Sequence, residues 1–291
     1  NLEEYDEWKN NDLFIPDLIR MLDNVLDHFI HNAPPELHRA VYSAKQERSL
    51  GLGAMGFHAY LQRHSIPFES VIAKVRNKNM FREIKEKANE ATKLLAKERG
   101  ECPDAVGHGV RNSHLLAIAP NASSSIICGN TSPSIEPYRA NAFVQKTKTG
   151  SSLLKNEYLE HCLQEIDFNT EDVWQSIITH DGSVQHLEFL DDETKDIFKT
   201  GPEIDQRWLV EFAADRQEYI CQSQSLNLFF PADVSKQELH AVHMMAWKRG
   251  VKTLYYLRSE AIKRADRVSD EALRQYMFDS ISDDSCLACE G

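Results

Sequence analysis

Two short apolar runs flank one capped helix near the end of the chain, and no other feature limits the possible folds as sharply. Ser225-Leu-Asn-Leu-Phe-Phe230 and Val251-Lys-Thr-Leu-Tyr-Tyr-Leu257 both read as strands buried on two faces. Between them Ser235 and Glu238 stand at capping-box spacing, Leu239, Val242 and Ala246 share one helix face, and Gly250 closes the helix. Strand, helix and strand within about 30 residues make a βαβ unit, which needs a parallel sheet with helices outside it. The fold class is therefore α/β.

The rest of the sequence fits that frame. Leu115-Leu-Ala-Ile-Ala-Pro120 is a third buried run, and Ser49-Leu-Gly-Leu-Gly-Ala-Met-Gly-Phe57 has the glycines of a backbone that packs close to another. Periodicity predicts helices over 16–32, 56–63 and 70–98. From about 262 the pattern thins, and 279–291 reads as a flexible polar tail. With 33 basic against 45 acidic residues the net charge is −12, which argues against a surface dedicated to nucleic acid or anionic membrane. No run is long and apolar enough to span a bilayer, and the acidic start is not a signal peptide, so a cytoplasmic location is expected. Six cysteines in 291 residues are too few for a disulfide scaffold and imply reduced thiols. Asn1 falls within helix-like sequence, so the chain is read as a piece of something larger.

Three stretches could carry chemistry. Pro120, Asn121, Ala122, Ser123, Ser124 and Ser125 follow the buried run and lead into a potential helix. Hydroxyls and unpaired N–H groups at the end of a parallel strand suit a phosphate, although serines there also cap helices. Tyr255 and Tyr256 are adjacent on a strand, where successive side chains face opposite ways. They are packing residues or, since a phenol can lose an electron and a proton together, a redox pair. Cys286 and Cys289 form a C-x-x-C near the C-terminus: half a zinc site, a dithiol for exchange, or an inert tail. Glu136 is a turn residue or a catalytic acid. No Ser-His-Asp or Cys-His arrangement has local support.

Together the stretches resemble the large, catalytic subunit of class I ribonucleotide reductase, of the Ia type. The resemblance rests on Arg48-Ser-Leu-Gly-Leu-Gly-Ala-Met-Gly-Phe57, on Arg111-Asn-Ser-His-Leu-Leu-Ala-Ile-Ala-Pro-Asn-Ala-Ser-Ser-Ser125 and on Asn130-Thr-Ser-Pro-Ser-Ile-Glu-Pro137. Asp205-Gln-Arg-Trp208, Ser223-Gln-Ser-Leu-Asn-Leu-Phe229, Gly250-Val-Lys-Thr-Leu-Tyr-Tyr256 and the cysteine pair follow in the same order. It implies the C-terminal portion of a ten-stranded α/β barrel over 1–265 and a segment ending in a flexible redox tail over 266–291. It also implies that residues 120–125 hold the diphosphate of a nucleoside diphosphate, that Tyr255 and Tyr256 relay a radical, and that Cys286 and Cys289 re-reduce the active-site disulfide. The implied partners are an N-terminal part of the large subunit, a small subunit with a di-iron tyrosyl radical, and thioredoxin or glutaredoxin as reductant. The chain itself is expected to bind no metal and to be inactive alone.

One departure sharpens this. The family's thiyl-forming cysteine lies in an Asn-x-Cys-x-Glu segment, and that pattern occurs nowhere in this sequence. The resemblance therefore implies a split or truncated large subunit, whose open barrel edge needs a partner chain. The other reading is a non-catalytic nucleotide-binding or assembly protein that kept the barrel; a binder needs neither the tyrosine pair nor the dithiol.

Overall fold

The computed structural model describes residues 1–147 and 150–259. The proposed boundary at 265 and the segment 266–291, with Cys286 and Cys289, lie outside them.

Four parallel segments form the centre, each paired with the next in chain order. Leu52 bridges Leu116 and Ile118 bridges Gln224, both in parallel. Strand β3 (Leu228–Phe230) pairs in parallel with β4 (Leu257–Ser259), with Phe229 opposite Arg258. Main-chain bonds stitch the ladder, among them Leu52 N to Leu115 O at 2.8 Å, Ser225 N to Ile118 O at 3.0 Å and Leu228 N to Tyr256 O at 2.9 Å. Leu115, Leu116, Ile118, Leu226, Leu228, Phe229 and Phe230 are all buried, as strands covered on both faces must be. Gly53 is required at the first pairing, since a Cβ there would sit 2.9 Å from the Ala117 carbonyl oxygen.

Helices make the crossovers. In chain order they are α1 (Tyr5–Trp8), α2 (Phe14–Asn32), α3 (His38–Glu47), α4 (Phe57–Arg63), α5 (Val71–Arg99) and α6 (Ser124–Ile127). An antiparallel hairpin of β1 (Ala142–Thr147) and β2 (Gly150–Lys155) precedes α7 (Glu157–Glu165), α8 (Glu171–Thr179), α9 (Asp192–Ile197), α10 (Gln206–Gln217) and α11 (Lys236–Lys248). Ser70 caps α5 by accepting from Ala73 N, and Ser235 caps α11 by accepting from Glu238 N at 3.0 Å, the predicted box residue. The 29 residues of α5 bury Phe81, Ile84, Ala88, Ala91 and Leu95 of the apolar face that periodicity predicts, with Met80 beside them, but Leu94, expected on the same face, is 51% exposed.

Two apolar clusters result. The larger joins the ladder to α2, α4, α5, α10 and α11. The smaller centres on Trp174 with Leu159, Leu163, Ile177 and Val184, under the hairpin and α7 to α9. No element was predicted over 140–200, because the helices there are short and the hairpin carries no tight-turn signature.

β3 starts three residues later than expected, and β4 meets the expected strand 251–257 only at Leu257; all three of its residues are exposed, so the expected burial on both faces does not hold there. Side chains bond the backbone around both strands. Asn227 N donates to Glu136 Oε1 at 3.1 Å, Phe229 N to Gln206 Oε1 at 2.8 Å, and Tyr256 N to Asn227 Oδ1 at 3.2 Å. The main-chain pairing continues beside them, with Tyr255 N donating to Leu226 O and Leu228 N to Tyr256 O, both at 2.9 Å.

At the other pole Asp23 of α2 is wholly buried among three arginines. Arg48 Nε and Asn112 Nδ2 reach its Oδ1 at 3.0 Å each, and Arg99 reaches Oδ2 at 2.9 Å. Arg111 Nε lies 3.5 Å from Oδ2. Burial is the largest single influence and pushes the Asp23 carboxyl up, but the bonds and charges of Arg48, Asn112 and Arg111 together hold the group below the ordinary aspartate value.

Candidate functional site

The second ladder segment ends at Pro120, where Asn121 turns the chain with φ of 52° and ties back through Nδ2 to Ala54 O at 3.2 Å. Helix α6 follows at once. Among the described residues the N–H groups of Ala122, Ser123 and Ser124 make no hydrogen bond. Ser123 stands at the N-cap position yet makes no side-chain cap bond, so capping does not account for this serine. The hydroxyls of Ser124 and Ser125 make only long bonds within the turn, at 3.4 Å to Asn121 O and 3.3 Å to Ala122 O. Three adjacent free donors at a strand end give this turn the chemistry of an anion cradle.

Tyr255 and Tyr256 do not face opposite ways as the strand reading expected. Both precede β4, where Tyr255 N donates to Leu226 O at 2.9 Å and Tyr256 N to Asn227 Oδ1 at 3.2 Å, and their rings lie together with centroids 4.2 Å apart at 57°. Both are about half exposed, at 51% and 53%. The Tyr256 hydroxyl beside it pushes the Tyr255 phenol above its ordinary value. The Arg258 guanidinium lies 5.3 Å from the Tyr256 ring centre.

A cavity of about 210 Å³ lies beside the turn, with Arg258 but neither tyrosine in its lining. Pro120, Ala122 and Ser125 line one part of it, Phe229 and Arg258 another, and Glu136 and Asn227 also line it. Glu136 is only 5% exposed, and burial pushes its carboxyl above the ordinary glutamate value. Its N–H bonds Pro133 O at 3.0 Å, so it is the turn residue that one of the two sequence readings expects, and its place in the cavity wall is additional. The partner that matters, Asn227, is far along the chain and leaves no local signal.

The wall carrying Glu136 is fastened to the start of α4. Gly56, with φ of 82°, donates its N–H to Ser132 O at 2.8 Å, and Ala59 N donates to Ser132 Oγ at 3.1 Å. Tyr138 N donates to His58 Nδ1 at 2.9 Å, which places the ring proton on Nε2. Burial drives the His58 imidazole down to about 3 from its ordinary 6.5. The unfolded chain then binds the extra proton between those values, so His58 stability is present above pH 6.5 and lost as the pH falls toward 3. Urea unfolding should show a loss on the order of 2 kcal/mol from this group between pH 6.5 and 5. His58→Asn keeps an acceptor for Tyr138 N and should flatten that slope; an unchanged slope would rule the assignment out.

Among the described residues no group of three His, Cys, Asp or Glu side chains could hold a metal ion. No helix among them is long and apolar enough to cross a membrane. Four free cysteines are described, of which Cys102 is buried and Cys128 exposed.

The sequence matches a family model described as ribonucleotide reductase, barrel domain, over residues 3–106 and 103–257. It is 50% identical over 286 residues to the ribonucleoside-diphosphate reductase large subunit of Invertebrate iridescent virus 6, covering 97% of this chain and 29% of that protein. The large subunit of Invertebrate iridescent virus 3 is 49% identical over 294 residues, covering 100% of this chain and 46% of that protein. Among solved structures, the Actinobacillus ureae class Id ribonucleotide reductase alpha subunit superposes with a TM-score of 0.83 at 41% identity, over 90% of this chain and 48% of that one. The chain spans 29 to 51% of the length of the first curated relatives it matches.

Proposed function

The chain belongs to the ribonucleotide reductase barrel family, and from that premise we propose that it forms part of a large subunit that reduces ribonucleoside diphosphates to deoxyribonucleoside diphosphates. One observation carries the reading: at the end of a parallel ladder, a turn with three free N–H groups lines the same cavity as Arg258, which lies over one ring of a contacting tyrosine pair. The turn 120–125 binds the diphosphate through N–H groups and hydroxyls, which fixes the ribose for attack. Tyr255 and Tyr256 pass a radical inward from a small subunit that generates it. The thiyl-forming cysteine comes from the rest of the large subunit, since Asn-x-Cys-x-Glu is absent here. Cys286 and Cys289 exchange with the active-site disulfide: one thiolate attacks it, the second resolves the mixed disulfide, and an external dithiol protein of the thioredoxin or glutaredoxin kind reduces the pair again. A cytoplasmic site of action goes with this chemistry, because the thiols must be kept reduced.

The direct test supplies the chain with a polypeptide carrying Asn-x-Cys-x-Glu, a radical-bearing small subunit, a dithiol reductant and a nucleoside diphosphate. Deoxynucleotide is expected from the full mixture and none when that polypeptide is left out. Turnover without it would overturn the division of labour, and none from the full mixture would overturn the activity.

In the assembled enzyme Ser124→Ala should weaken nucleoside diphosphate binding by about 1 to 3 kcal/mol, the worth of a hydroxyl bonded to a charged phosphate oxygen. Equilibrium binding measures it; an unchanged affinity would return Ser124 to a merely structural role. Replacing Cys286 and Cys289 together by serine should leave a single turnover intact and then stall when only a protein reductant is present. Dithiothreitol should partly restore cycling, because it reaches the buried disulfide directly. Steady multiple turnover with the protein reductant would defeat the exchange role.

A further inference from the structure

Glu136, Asn227, Tyr256 and Arg258 are joined in one continuous set of contacts that the radical relay by itself does not call for. Glu136 Oε1 accepts from Asn227 N at 3.1 Å, and Asn227 Oδ1 accepts from Tyr256 N at 3.2 Å. Arg258 lies over the Tyr256 ring at 5.3 Å and lines the same cavity as Glu136. The main chain of Tyr256 is thus held from one side and its ring from the other. Glu136 and Asn227 are 5% and 3% exposed, so the bond between them is shielded from water. Both bonds are made by side-chain oxygens in addition to the main-chain pairing of Leu226 with Tyr255 and of Leu228 with Tyr256.

We infer that Glu136, Asn227 and Arg258 are positioning residues that set the Tyr256 ring relative to the cavity where the diphosphate turn ends. Glu136 fixes the Asn227 backbone, the Asn227 amide fixes the Tyr256 backbone, and the Arg258 guanidinium restricts the ring. None of the three exchanges an electron or proton with substrate. Their effect is geometric: a displacement of about 1 Å at a transfer site costs on the order of a hundredfold in rate.

The inference rests on the radical-relay reading for its kinetic consequence but not for its structural one, and two measurements separate them. Fluorotyrosine placed at position 256 gives a fluorine NMR line that reports the ring's surroundings. That line should shift or split in Asn227→Ala and in Arg258→Met, the latter an exposed position where folding is not at stake. In the assembled enzyme Asn227→Ala and Glu136→Ala should lower turnover on the order of a hundredfold while nucleoside diphosphate affinity stays unchanged. Glu136→Gln keeps an acceptor oxygen for Asn227 N and should recover most of the turnover that Glu136→Ala loses. Fluorine lines identical to the parent in both Asn227→Ala and Arg258→Met would overturn the clamp, whatever the activity. So would a loss of diphosphate affinity that matches the loss of turnover, since that marks general damage to the site. If the parent assembly makes no deoxynucleotide, the relay reading fails and the fluorine comparison still decides the clamp.

Discussion

Tyr256→Phe, in the chain assembled with its partners, is expected to fold and bind nucleoside diphosphate normally and yet lose nearly all turnover. The substitution keeps the ring and its contact with Tyr255, centroid to centroid at 4.2 Å. It removes only a hydroxyl on a side chain that is 53% exposed, so stability should barely change. Phenylalanine has no acidic hydrogen to lose with the electron, and its oxidation is far harder. A loss on the order of a thousandfold, about 4 kcal/mol of barrier, is the least expected of a broken relay. Tyr255→Phe should behave alike, because the rings form one unit. Steady-state turnover, diphosphate binding and thermal unfolding measured on the same samples separate chemistry from damage. Near-full activity of both variants would make these packing residues and withdraw the relay.

The second large effect concerns stability. Asp23→Ala should cost about 3 to 5 kcal/mol, because it leaves Arg48, Arg99 and Arg111 facing one another without the buried carboxylate that pairs them. The bonds join α2, the residue after α3, the end of α5 and the approach to the second ladder segment, so the loss is global. By contrast Arg20 and Glu98 pair at the surface, both more than a third exposed, and Glu98→Ala should cost under about 1 kcal/mol. The sign with pH follows from the depressed Asp23 value. Its contribution is full above the ordinary aspartate value of 3.8 and is lost as the pH falls through the lower folded value. Urea titration at pH 7 measures both variants. A cost for Asp23→Ala no larger than for Glu98→Ala would mean that the arginines find water or other partners.

What the sequence made legible was what is local. The Ser235 cap, the extent of α5 and the strand before α11 follow from spacing within a few residues, and each stands near its expected place. The turn 120–125 was visible because its serines are contiguous. Other features depend on partners far apart in sequence. Arg48 and Arg111 appear within the long matching motifs, but nothing in those motifs shows that both exist to neutralise Asp23. The strand reading sent the tyrosine rings to opposite sides because it assumed a regular strand through both, whereas the strand begins only at Leu257. Glu136 does sit in a turn, its N–H bonded to Pro133 O at 3.0 Å, but its burial depends on a contact across 91 residues that leaves no local signal.

The smaller apolar cluster has a consequence for how the molecule breathes. The segment carrying it leaves the ladder side at Tyr138 and returns at Gly201, where Gly201 N meets Tyr138 O at 2.7 Å. Its contacts with α4 are polar, through Gln62 to Asn156 Nδ2 at 2.8 Å and to Ile197 O at 3.3 Å. An excursion closed at its base and seated on a polar seam can open as a cooperative unit while the ladder stays shut. Native-state hydrogen exchange should find the amides of α7 and α8 released together, at lower free energy than those of α5. The ladder thus keeps its register through openings that expose Trp174 to solvent.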